Sequence, residues 1–189
     1  AVQIRTCNVC GYKETRNNGK KLTATMKVNA VKLPLKIKQK TTVLKVSGLA
    51  NGDSVASWKS GNTKVVKVSG KPNGTCTLAA GHKKGKTTIT IILKSGLKKK
   101  ITITVQKAAV KTSKITGMPK NLKLKKNQTV TLKAAAAPLT SLQKLKYKSS
   151  NKKIVTVTSK GVIKAKKKGK AVITVQSGSK TVKCKVTVK

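Results

Sequence analysis

Residue types able to do chemistry are few in this chain, and their spacing narrows them further. Cysteines stand at Cys7, Cys10, Cys76 and Cys184, the histidine is His82, and the two acids are Glu14 and Asp53. A general acid/base pair needs two carboxylates held across one reacting bond, and Glu14 and Asp53 fall in separate parts of the chain. His82 sits in a lysine-rich turn with no acid beside it to orient the ring, as a Ser-His-Asp arrangement requires. Calcium needs several oxygen ligands, usually including carboxylates, and these are missing. Ser-x-x-Lys occurs at Ser95, Ser141, Ser149, Ser150 and Ser177, but so many lysines produce such matches by chance, and the partner motifs are absent. The expectation is a chain that is not an enzyme and uses no cofactor.

The one spacing with a metal-binding precedent is Cys7-Asn8-Val9-Cys10-Gly11. Tetrahedral zinc needs four ligands, and this turn offers two thiolates without a second Cys-x-x-Cys to complete them. A local disulfide, suited to an oxidising exterior, or an unpaired remnant is favoured over zinc, so Cys7 and Cys10 are weak metal candidates. Cys76 and Cys184 alternate with apolar neighbours and read as small core hydrophobes.

Charge offers a different chemistry. Lys and Arg number 45 against two acids, a formal +43, and the only arginines are Arg5 and Arg16. Such a chain repels itself and attracts polyanions. The clusters expected to do so are Lys83, Lys84 and Lys86; Lys98, Lys99 and Lys100; and Lys166, Lys167, Lys168 and Lys170. The Lys83 and Lys166 groups precede matching Gly-Lys pairs, which predicts a basic loop at the same end of each repeat. Lysine ammonium is a hydrated point charge that attracts phosphate or sulfate without planar recognition. Candidate partners are therefore teichoic acid or another anionic cell-wall polymer, acidic glycan, a host surface, and extracellular DNA bound only non-specifically. Base reading favours Arg, Asn and Gln on a groove-fitting element, and single-strand binding wants exposed aromatics. The competing reading is a solvated, solubilising surface.

The elements that would position these lysines read as strands. Period-two alternation runs through Thr88–Leu93, Lys100–Val105 and Lys183–Val188, with Gly, Asn and Ser turns between short segments. No apolar run approaches the roughly 18 residues of a membrane helix, so no membrane insertion is expected. Trp58-Lys59-Ser60-Gly61-Asn62 with Val65-Val66-Lys67-Val68 matches Tyr147-Lys148-Ser149-Ser150-Asn151 with Ile154-Val155-Thr156-Val157, an offset of 89 (147 − 58). Gly85–Ile91 then matches Gly169–Val175 at 84 (169 − 85), which places an insertion around residues 70–76 of the first copy. The expected domains are an N-terminal Cys-x-x-Cys segment at 1–23 and two homologous sandwiches at 24–107 and 108–189. With aromatics at 2%, Trp58 and Tyr147 are expected to fill the centres of aliphatic cores rather than to serve as glycan platforms.

The order [Trp/Tyr]-x-Ser-x-Asn-x-x-[Ile/Val]-Val-x-Val, then Gly161-Val162-Ile163-Lys164-Ala165 and Lys168–Val175, resembles the group 2 bacterial immunoglobulin-like domain. The first copy departs from it between Lys71 and His82. The resemblance implies an all-β fold of two tandem immunoglobulin-like β-sandwich domains. It also implies surface display, adhesion or spacing, in a secreted or cell-surface setting, with no catalytic residues to carry over. Residues 5–16 resemble the end of a short Cys-x-x-Cys-Gly repeat of bacterial surface proteins.

Overall fold

The computed structural model describes residues 2–17 and 23–189. The expected junction near residue 23 between the N-terminal segment and the first sandwich therefore lies partly outside the described residues. At the N-terminus β1 (Val2–Thr6) and β2 (Lys13–Asn17) form an antiparallel hairpin around the cysteine turn.

Nine strands follow: β3 (Lys27–Val28), β4 (Lys32–Lys36), β5 (Lys40–Thr41), β6 (Val46–Ser47), β7 (Val55–Ser60), β8 (Val66–Gly70), β9 (Cys76–Ala80), β10 (Gly85–Leu93) and β11 (Lys98–Gln106). Nine more complete the chain: β12 (Lys114–Thr116), β13 (Asn121–Leu124), β14 (Thr129–Thr131), β15 (Ala135–Ala137), β16 (Lys146–Ser149), β17 (Val155–Val157), β18 (Val162–Ala165), β19 (Gly169–Ser177) and β20 (Lys180–Val188). The first set makes sheets β4-β11-β10-β7, β5-β9-β8 and β3-β6; the second makes β13-β20-β19-β16, β14-β18-β17 and β12-β15. Each sheet order of the first set recurs nine strands later. This is the all-β, two-sandwich architecture expected from the sequence.

Alternation explains why the sheets pair face to face. In β10 the burial pattern puts Thr87, Ile89, Ile91 and Leu93 inward and Lys86, Thr88, Thr90 and Ile92 outward. Successive strand residues point to opposite faces, so one-residue slippage would put the isoleucines in water. The inward rows of the first set, among them Leu33, Leu35, Leu78, Ile89, Ile91 and Ile103, close into one core. Ile163, Ile173, Val175, Cys184 and Val186 help build a second. Each fully buried Ile or Leu contributes about 2–3 kcal/mol, which offsets the weaker repulsion among exposed ammonium groups.

The shared motif proves to be a turn lock. Ser60 Oγ donates to Val66 O at 2.7 Å, and Ser149 Oγ donates to Val155 O at 2.7 Å. Asn62 Oδ1 accepts the Lys64 amide at 3.0 Å, and Asn151 Oδ1 accepts that of Lys153 at 3.0 Å. Side chains thus satisfy backbone groups that the strand ends leave unpaired. The extra residues of the first copy lengthen the β8–β9 ladder by two pairs, Ser69–Thr77 and Gly70–Cys76, below a tip at 71–75 that is bonded like the tip at 158–162 of the second copy.

Trp58 and Tyr147 face inward but do not fill the core centres. Both are only partly buried, packing against the two clusters from edge strands β7 and β16. Each ring instead roofs a glycine of the neighbouring hairpin, Gly70 and Gly161 respectively. The central space is taken by isoleucine and leucine, which suit a pleated surface without a polar edge to satisfy.

Candidate functional site

The lysines named from the sequence divide between turns and strands. Lys83 and Lys84 occupy the turn before β10, and Lys166, Lys167 and Lys168 the matching turn before β19; all five are exposed. Lys86 and Lys170 belong to β10 and β19, and Lys98, Lys99 and Lys100 open β11. Lys86 stands opposite Thr104 and Lys98 opposite Ile92, at the two ends of one hairpin, about 20 Å apart along the strand. The structure therefore does not bring the Lys83 and Lys98 groups into one loop. Lys99 is half-buried and points away from Lys98 and Lys100.

What the fold does bring together is the outward side of each four-stranded sheet. Across the first, the register sets Lys86 beside Thr104 and Pro34, Thr88 beside Thr102 and Lys32, and Lys59 beside Thr90 and Lys100. Gln106 pairs with Lys36, and Ile92 lies between Ser57 and Lys98. Across the second, Lys170–Thr187–Lys123, Val172–Lys185–Asn121, Lys148–Thr174–Lys183 and Lys146–Gln176–Thr181 make successive rows. Every row on both faces carries at least one lysine. Adjacent strands lie about 4.8 Å apart and like-facing residues about 6.7 Å along a strand.

One row recurs in both sheets as Lys-Thr-Lys: Lys100–Thr90–Lys59 and Lys183–Thr174–Lys148. The opposite, three-stranded sheets differ between the copies, the first equalling that charge in one row and the second falling below it. Their comparable rows are Lys40–Ala79–Lys67 in the first set and Thr129–Lys164–Thr156 in the second. Two exposed ammonium groups about 10 Å apart repel by only about 0.4 kcal/mol in water, less with salt. The face is therefore tolerable alone, yet its field adds over all rows toward a bound anion.

The second sheet also has relief. A groove of about 390 Å³ opens along Asn121, Ser150, Lys170, Val172, Lys185 and Thr187. Val172 is a short apolar floor among longer polar neighbours, and the Ser150 hydroxyl accepts the Val172 amide at 2.8 Å. Sequence clusters missed Lys59, Lys148, Lys183 and Lys185 because these are isolated in sequence. The signal that could have found them is the alternation itself, Lys183-Cys184-Lys185-Val186, combined with strand order.

The other candidates stay apart. Cys7 and Cys10 are free, exposed thiols in the β1–β2 turn, where Gly11 N–H donates to Cys7 O at 2.9 Å. Amide hydrogen bonds from Cys10 and Val9, with the Cys10 thiol adding to them, hold the Cys7 thiol below its ordinary range. Cys76 and Cys184 are buried in separate cores, and burial pushes Cys76 up to about 11 and Cys184 up as well. Asp53 ties two turns together: Oδ2 accepts the Ser95 hydroxyl at 2.6 Å and Oδ1 the Ser54 amide at 2.9 Å. Those bonds, the Ser95 hydroxyl foremost, hold its carboxyl below the usual range. His82 lies exposed in the turn with Lys83. Among the described residues no three His, Cys, Asp or Glu side chains converge as metal ligands.

The sequence profile of the bacterial Ig-like domain (group 2) matches residues 109–188, the region of β12 to β20. A kappa-carrageenase from Pseudoalteromonas carrageenovora is 44% identical over 66 residues, covering 34% of this chain; the chain spans only 17% of that enzyme's length. Among solved structures, domains 5–6 of the S-layer protein SbsC superpose with a TM-score of 0.44 at 21% identity, over 87% of this chain and 97% of that one. Domains 4 and 5 of the same protein give 0.40 at 18% identity, over 87% and 98%. The family match at residues 109–188 makes the β12–β20 sandwich immunoglobulin-like in fold.

Proposed function

We propose that the chain is a non-catalytic structural and adhesive module working outside the cell, a pair of rigid sandwiches that space and present a contact surface. The observation that carries this reading is the recurrence of the whole sheet order nine strands on, around two separate cores. That recurrence supports extending the group 2 immunoglobulin-like family from residues 109–188 back to the first copy, with domains at 24–107 and 108–189. The β1–β2 hairpin then reads as the end of a Cys-x-x-Cys-Gly module. The short stretch shared with the carrageenase is best read as an accessory module of that enzyme, since it covers so little of it. Fractionating cells that make the protein, with protease shaving of intact cells, tests the placement. Surface or medium location is expected; a cytosolic pool resistant to shaving would overturn it.

A second reading is favoured by the lysine rows: capture of an anionic polymer such as teichoic acid, acidic glycan or extracellular DNA. Binding should fall steeply with salt, because each neutralised anionic group releases a counterion. Titration of heparin, wall polymer and duplex DNA across a salt series tests it, and absence of binding even at low salt ends it.

A further inference from the structure

We propose that the outward face of the β13-β20-β19-β16 sheet, centred on the Val172 groove, is a seat for a linear polyol-phosphate chain. The inference rests on the polyanion reading above and specifies its surface and partner chemistry. Four observations converge on this face.

First, charge is distributed unequally over the sandwich. The four rows of this face carry Lys123, Lys146, Lys148, Lys170, Lys183 and Lys185, whereas the outward rows of β14-β18-β17 offer Lys164. A chain merely rich in lysine would load both faces. Second, no acidic residue occurs in any of the four strands to quench the field.

Third, the lysines recur on consecutive rows about 6.7 Å apart. In a glycerol-phosphate polymer six bonds separate neighbouring phosphorus atoms. At the reach of an extended chain that is about 7 Å. One phosphate can thus meet one row. Fourth, the groove supplies more than charge. Lys170 and Lys185 flank it as cations, while the Thr187 hydroxyl and Asn121 amide are available as donors to phosphate oxygens. The short Val172 side chain leaves room for the polyol carbons. Aromatic platforms that would favour nucleobases are missing from the face, since Tyr147 turns inward against Gly161.

The test uses the whole chain and synthetic poly(glycerol phosphate), with heparin and oligo(dT) as comparison polymers. In the face variant Lys148, Lys170, Lys183 and Lys185 become Thr, which suits exposed strand positions. In the turn variant Lys152, Lys153, Lys166 and Lys167 become Gln, so both lose the same charge. The face variant should bind poly(glycerol phosphate) at least tenfold more weakly, and the turn variant no more than about threefold. Wild-type affinity should drop about fiftyfold between 50 and 200 mM salt if about four phosphates, one per row, are engaged.

Equal losses would mean a diffuse field and overturn the proposed seat while leaving polyanion capture standing. Tighter binding of oligo(dT) or heparin would overturn the polyol-phosphate partner. Wild type that binds none of the three at 20 mM salt would remove the polyanion reading as well. Should the face variant fold poorly, lysine acetylation footprinting of the wild type gives an independent readout. Protection of Lys170 and Lys185 over Lys152 and Lys166 supports the seat, and the reverse order sinks it.

Discussion

The indole of Trp58 lies against the bare Cα of Gly70, so closely that a Cβ there would overlap ring atoms Cδ1, Nε1 and Cγ. The second sandwich repeats the relationship with Tyr147 over Gly161, where a Cβ would sit 3.0 Å from Cζ. The two glycines differ in backbone: Gly161 has φ +79°, whereas Gly70 is outside the left-handed region.

Gly70→Ala should therefore destabilise by steric overlap alone, by about 1–3 kcal/mol. Trp58→Leu should restore most of that loss in a double-mutant cycle. For Gly161→Ala, Tyr147→Leu should rescue only part, because a side chain at positive φ carries its own strain. Denaturant melts of the four single and two double variants measure both couplings. Equal rescue at the two sites would refute the distinction.

A second contrast between the copies concerns Lys38 and Asn127, which hold φ values of 63° and 66° at matching positions 89 apart (127 − 38). In each, the following glutamine accepts a backbone amide, Gln39 from Lys36 at 2.7 Å and Gln128 from Lys125 at 2.9 Å. Asn tolerates the left-handed region better than Lys. Lys38→Asn should raise stability by about 0.5–1 kcal/mol, seen as a higher denaturant midpoint at unchanged slope. A neutral or lower midpoint counts against it.

Thr87 is inward-facing in β10, and its hydroxyl has no hydrogen-bond partner among the described residues. The corresponding residue of β19 is Ala171. Thr87→Val keeps the shape and removes the unpaired polar atom, so it should stabilise by about 1 kcal/mol. Destabilisation would show that the hydroxyl is satisfied in solution.

Asp53 gives the first sandwich an acid-sensitive fastening. Its folded pKa is depressed by the Ser95 and Ser54 hydrogen bonds. Its contribution is thus present above the unfolded value, about 3.9, and disappears as pH falls through the lower folded value. Trp58 is the single tryptophan and reports on this sandwich. Fluorescence-monitored unfolding should lose stability below about pH 4, and Asp53→Asn should flatten that slope. An unaltered slope in Asp53→Asn would rule out the fastening.

Thiol reactivity should rank by environment. Cys7, exposed and hydrogen-bonded toward its thiolate, should alkylate first at neutral pH. Cys76 and Cys184, buried with raised pKa, should stay unmodified until the chain unfolds. Mass mapping after brief iodoacetamide treatment decides it, and early labelling of Cys184 would contradict the buried assignment.

Much of this architecture is written locally. Alternation of Thr or Lys with Ile or Val in segments such as Thr88–Leu93 needs only neighbouring residues to declare a half-buried strand, and the Trp58 and Tyr147 segments announce the repeat by direct comparison. Strand class, the two-body organisation and the inward direction of Cys76 and Cys184 follow from the sequence for that reason. Which lysines stand together does not follow. Lys59, Thr90 and Lys100 share a row only because β7, β10 and β11 pair in one register, and the runs at Lys83 and Lys98 draw the eye to opposite ends of a hairpin. Roofing of Gly70 by Trp58 likewise depends on an edge strand and a hairpin meeting across the sandwich. Contacts between residues distant in sequence are set by register and sheet order, and those are properties of the assembled chain.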